Sequence, residues 1–176
     1  NTFFILSLSK HKINSFNEKN ETKQLSKVYD LKNNELNNST FEMTQLIVIE
    51  MKETEEYSTT IKKQQKELKK KLGSAVNNKC IVYKIPILEE WSGLKYKEIL
   101  YDSDKDGKSS EMFRNKIINH QHLYFIVIDS KDNVFGHYSN EIIDKINEFI
   151  KDDKSFMISL NSNGRSGIKK FTSKGG

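Results

Sequence analysis

The chain has 176 residues and a mass of 20.5 kDa, enough for one domain with a sizeable core and too little for two of full size. Apolar residues make up 35% and charged residues 30%, but ten Phe, seven Tyr and many Ile argue against general disorder. One proline and one cysteine exclude a Pro-rich linker, a disulfide scaffold and a cysteine zinc site. The net charge of +5 is spread along the sequence, so no segment is a basic domain.

Thr2–Leu8 reads as a strand. It has no basic stretch before it and no small-residue cleavage site after it, so a signal peptide is not expected. The first residue, Asn1, suggests a fragment or a processed chain. Residues 10–40 are polar and rich in Asn, Lys and Glu, a loop-rich stretch with room for one helical turn or short strand. Thr44–Met51 is a strong β run, dense in branched side chains.

From Glu53 to Leu72 there is no Gly or Pro, and Tyr57, Ile61, Leu68 and Leu72 recur at helical spacing. Acids stand early, lysines late, and Gly73 follows as a C-cap. The spacing predicts an amphipathic helix of about five turns, coiled-coil-like but short for a stable coiled coil. Cys80–Leu88 reads as a strand or extended segment ended by Pro86, with Cys80 a small core residue. Trp91–Tyr101 is mixed, Asp102–Gly107 a turn, and Ser110–Ile118 a helix with Phe113 and Ile117 on one side. Leu123–Ile128 and Val134–Tyr138 read as strands around a turn at Ser130–Asn133. Glu141–Ile150 is helical or extended, Ser155–Leu160 a strand, and Asn163-Gly164 a strong turn signal.

Two lysine-rich clusters could hold an anion. One is Lys62, Lys63, Lys66, Lys69 and Lys70; the other is Arg165, Lys169 and Lys170. A solvated helix face and a solvated loop explain the two clusters better, and only two arginines argue against base-specific readout. Asp102-x-Asp104-x-Asp106-Gly107 matches the opening of a calcium loop, but Phe113 stands where the bidentate Glu belongs. His120-x-His122 would put two imidazoles on one face of a strand, short of a zinc site without a third ligand such as His137 or Glu141. No nucleophile elbow, phosphate loop or zinc-protease motif is present. No catalytic residue, metal or cofactor is therefore assigned. A polar pocket around Asp102, Asp106 and His137 is the one enzymatic reading left to test.

Leu100–Ser109 with Asp106-Gly107, then Ser109 and Phe113, resembles the start of a TLDc domain. The run Asn133-Val134-Phe135-Gly136-His137-Tyr138 resembles that family's hairpin, and Phe156–Leu160 the strand after it. Asp106, Gly107, Ser109, Phe113, Asn133, Phe135, Gly136 and Tyr138 carry the likeness, in the manner of the family's divergent protist copies. Residues 80–171 resemble the domain's first half. Phe3–Leu8 echoes Ser155–Leu160, and 1–52 resembles, more weakly, the second half. The chain is then either cut from a tandem array or a permuted or segment-swapped domain. By this division 1–52 and 76–176 are β-rich halves joined by a helical linker, 53–75, together one compact domain.

The resemblance implies an α+β fold, mainly an antiparallel β-sandwich with flanking helices. It implies a non-enzymatic protein-interaction module in the cytoplasm or nucleus, linked to oxidative-stress resistance or to binding the vacuolar-type ATPase. Self-association through a strand edge or the helix 53–72 is a second expectation. Nucleic-acid binding through the lysine clusters is the alternative.

Overall fold

A computed structural model describes residues 3–4, 19–21, 40–54, 79–145, 150–164 and 167–172. The expected helix 53–72, the cluster Lys62, Lys63, Lys66, Lys69 and Lys70, and Arg165 lie outside the described residues, apart from residues 53 and 54, which are neither helix nor strand. The chain divides into two compact units, residues 1–51 with 97–176, and residues 52–96.

The first unit is built on β-structure. Its strands are β1 (Phe3–Phe4), β2 (Lys19–Glu21), β3 (Thr40–Lys52), β4 (Lys95–Asp102), β5 (Leu123–Asp129), β6 (Val134–Ser139), β7 (Ile150–Lys151), β8 (Phe156–Asn161) and β9 (Lys169–Thr172). The pairing order is β2-β3-β5-β6-β8-β9, with β4 also on β3, while β1 pairs with β7 as a separate ribbon. Every pairing whose register is resolved is antiparallel. With the helices below, the architecture is α+β and mainly antiparallel. Thr44–Met51 thus becomes an inner strand, with Val48 opposite Phe125.

The inner strands β3, β5, β6 and β8 are largely buried on both faces, which is why they read as continuous apolar runs. On one face Leu46, Val48, Leu123 and Phe125 join Tyr101, Phe113, Ile117 and Ile143 in a single core. Phe113 meets Tyr101 edge-on at 5.0 Å and Phe125 at 6.4 Å. On the other face Ile47, Ile49, Ile126 and Ile158 are fully buried. Tyr124, Tyr138 and Phe156 stand directly opposite one another there, with ring centroids 4.7 and 4.8 Å apart.

The short α3 (Ser103–Asp106) and the two-turn α4 (Ser110–Ile117) follow β4. In the second unit, α1 (Lys79–Val82) and α2 (Ile85–Ser92) replace the strand expected over Cys80–Leu88. The reason is Pro86. It sits in the first turn of α2, where its missing N–H costs nothing, so it opens a helix instead of ending a strand. Ile85 and Leu88 are buried three residues apart. Gly93 closes α2 at φ 72°, and Glu89 accepts from Lys95 Nζ and the Tyr96 N–H, both at 3.0 Å. The mixed stretch Trp91–Tyr101 is thereby split between the end of α2 and the start of β4.

Candidate functional site: the turn end of the sheet

β3 and β6 begin, and β4, β5 and β8 end, at the same end of the sheet. Most residues picked out by the TLDc resemblance lie here or just inside it; Tyr138 stands towards the far end of β6.

Asp129 builds the β5–β6 turn. Its Oδ1 accepts the N–H groups of Lys131 and Asn133, both at 2.9 Å, and its Oδ2 accepts Asn133 Nδ2 at 2.8 Å. A short carboxylate that bonds the backbone two and four residues on fixes a turn, and Asp132 takes the left-handed conformation it needs, at φ 58°. The β8–β9 turn docks on it. Asn161 Nδ2 donates to the Asp132 carbonyl at 2.7 Å, and Asn163 Nδ2 to the Lys131 carbonyl at 2.6 Å.

The β4–α3–α4 corner is equally self-consistent. Asp102 caps α3 by accepting the Asp104 N–H at 3.1 Å, and Asp106 Oδ2 accepts the Asp102 N–H at 2.8 Å. The Tyr101 hydroxyl donates to the Gly107 carbonyl at 2.6 Å. Burial first, then Asp106 and Asp102, push that phenol up to about 12. Ser109 caps α4 through the Met112 N–H at 3.2 Å. Gln45 Nε2 and the Leu46 N–H reach Asp102 and Ser103 and tie the corner to β3. A bulge between Met43 and Gln45 makes room, and Lys108 Nζ donates to the Thr44 carbonyl at 3.3 Å.

Asp106, Gly107, Ser109 and Asn133 therefore serve the turns, and Phe113 the core. Phe135, Gly136 and Tyr138 lie in β6. Gly136 is required by a close approach: a Cβ there would strike the Phe125 carbonyl oxygen of the neighbouring strand. The calcium-like carboxylates form a capped helical turn at the place where a turn was expected.

Asp102 and Asp106 meet at this corner, whereas His137 stands mid-strand, paired with Phe125 and Met157. Burial drives His137 down to about 3, so it is neutral at physiological pH. His120 and His122 lie in the loop before β5 and not on a strand, with His122 at φ 58°. Lys169 and Lys170 lie over Phe171 and Phe156, at 5.0 and 3.9 Å from the ring centroids, and burial lowers the Lys170 ammonium.

The opposite end of the sheet carries two polar clusters with no sequence motif. Glu50, nearly buried, accepts from Lys97 Nζ at 2.7 Å and pairs with His120 Nδ1 at 3.1 Å. Asp152 is buried and accepts the N–H groups of Asn140 and Lys154, at 2.6 and 3.0 Å, and the Ser139 hydroxyl at 3.2 Å. The only advance signal for Glu50 was a lone acid near the end of an apolar strand; Asp152 gave none.

Among the described residues no helix is long and apolar enough to cross a membrane, and no group of three or more His, Cys, Asp or Glu could hold a metal. A model of the TLDc domain family matches residues 74–175. No curated protein and no solved structure matches the chain.

Proposed function

Because the chain belongs to the TLDc domain family, we propose that it is a non-enzymatic interaction module whose partner docks on the turn end of the sheet. What supports this is where the polar atoms go. Asp102, Asp106, Ser109, Asp129 and Asn133 are spent on caps and turns, which leaves a rigid rim. Asp104, Lys105, Lys131 and Asp132 project from it exposed. Charged side chains on fixed backbone suit recognition of a protein surface, since little ordering entropy is lost on binding. The partner that family membership suggests is the vacuolar-type ATPase, in the cytoplasm, with stress resistance as the downstream effect. The family's sandwich closure and the joining of 1–52 with 76–176 into one module belong to the same proposal.

The test is direct binding of the intact chain to purified vacuolar-type ATPase. Lys131→Glu with Asp132→Asn reverses or removes two rim charges and keeps a residue that tolerates φ > 0 at position 132. Binding by the parent chain, weakened at least about tenfold in the double variant, is the expected result. Absence of binding, or equal binding by both, refutes the rim. Steeply salt-dependent binding to plain duplex DNA instead would select the lysine-cluster alternative.

A further inference from the structure

Asn163 sits in the β8–β9 turn with left-handed backbone at φ 49°, and Gly164 follows at φ 83°. Its Nδ2 donates both to the Lys131 carbonyl at 2.6 Å and to Asn133 Oδ1 at 3.2 Å. The Asn133 amide cannot turn over, because its own Nδ2 donates to Oδ2 of Asp129 and an ionised carboxylate only accepts. Both groups facing Asn163 are therefore fixed acceptors. A carboxylate at position 163 would meet two oxygens with no proton to offer them.

Asn163-Gly164 is also the only Asn-Gly pair in the sequence. Glycine leaves its amide nitrogen unshielded and its backbone free to swing, the two conditions that favour attack on the preceding side chain. We propose that Asn163-Gly164 is a spontaneous deamidation site, and that its conversion is a one-way release of the β8–β9 turn from the β5–β6 turn.

In this reaction the Gly164 amide nitrogen gives its proton to solvent and bonds to Cγ of Asn163. The Cγ–Nδ2 bond breaks, Nδ2 takes a proton back from solvent, and ammonia leaves. One water then opens the cyclic imide, at Cγ or at the main-chain carbonyl, to leave aspartate or isoaspartate. Nothing is oxidised or reduced. The left-handed turn and the two hydrogen bonds oppose ring closure, so the reaction proceeds from the transiently opened turn. Every opening carries a chance of conversion, and conversion removes the donor that would have re-closed it.

The experiment incubates the intact chain at mildly alkaline pH and maps its peptides over time, beside hydrogen exchange of Asn163→Asp and Asn163→Ala. The expected result has three parts. The amide-to-acid mass gain accumulates at Asn163 ahead of Asn161, whose follower is Ser162. Asn161→Ala, which removes the companion tie to Asp132, speeds conversion at Asn163 severalfold. Asn163→Asp exchanges about tenfold faster than the parent at the amides of Lys131, Asn133 and Asn163, and faster than Asn163→Ala, because repulsion adds to the lost bonds. Conversion at Asn161 with Asn163 intact would overturn the site. Exchange of Asn163→Asp equal to that of the parent would overturn the release, and exchange equal to that of Asn163→Ala would overturn the repulsion.

Discussion

Gln45 donates from Nε2 to Oδ1 of Asp102 at 2.8 Å, across 57 residues of chain, and both side chains are buried. The same oxygen accepts the Asp104 N–H. One carboxylate oxygen thus caps α3 and fastens it to β3. Low local polarity makes such a bond strong and its loss expensive.

Gln45→Leu should cost about 1–3 kcal/mol in urea unfolding, since it takes a donor from a buried carboxylate. Gln45→Glu distinguishes the electrostatics from the packing. Its protonated form can still donate to Asp102, whereas its ionised form repels it. Burial and the neighbouring Asp102 raise such a carboxyl, so the deficit of this variant against the parent should vanish towards acid pH and grow as pH rises above the unfolded glutamate value of about 4.3.

Gly136→Ala adds a single methyl, but the atom in its way is the Phe125 backbone oxygen, which cannot rotate aside. The expected loss is about 3 kcal/mol, far beyond the ordinary cost of an alanine in a strand. Denaturant unfolding of the variant measures it. A loss within experimental error of zero would mean that β5 and β6 are farther apart than described.

His137 sets an acid limit. Its folded pKa of about 3 lies below the ordinary 6.5 because burial disfavours the imidazolium. Between those values the unfolded chain binds a proton that the folded chain does not. The stabilisation is complete above 6.5 and is lost progressively as pH falls towards 3. Urea midpoints across that window should fall by an amount worth a few kcal/mol. His137→Leu should flatten the slope there, whatever its effect at neutral pH.

Glu50 acts lower on the pH scale. Burial raises its carboxyl, but the hydrogen bonds from Lys97 and His120 outweigh this and hold it below its ordinary 4.5. A depressed carboxyl contributes stability above 4.5 that disappears as pH falls through the folded value. Lys97 is half exposed, so Glu50→Gln should cost only about 1 kcal/mol at neutral pH. The gap between variant and parent should close in acid, as thermal unfolding at several pH values would show.

Much of the sheet was legible because Leu46–Ile49, Leu123–Ile128 and Phe156–Leu160 are dense in branched and aromatic residues. The same density hid its architecture: a sheet buried on both faces shows no alternation to say which side faces what. β4 was missed because Lys95–Asp102 mixes exposed and half-buried positions and draws its regularity from pairing with β3. α2 was misread because a proline signals an interruption without saying on which side of it the helix lies. The motif residues were found, but their tasks were not. That Asp102 would bind Gln45, or Glu50 bind His120, depends on contacts 57 and 70 residues apart, which no local pattern encodes.

The placement of β3 has a consequence for biosynthesis. Thr44 donates to the carbonyl of Ile128, 84 residues later, so this apolar inner strand leaves the ribosome long before the strand that will cover its edge exists. At ordinary translation speeds the wait is on the order of ten seconds, far longer than a chain needs to collapse. Nascent β3 is therefore a natural client for a holding chaperone. In its absence, yield on synthesis should depend more steeply on expression rate than yield on dilute refolding depends on temperature.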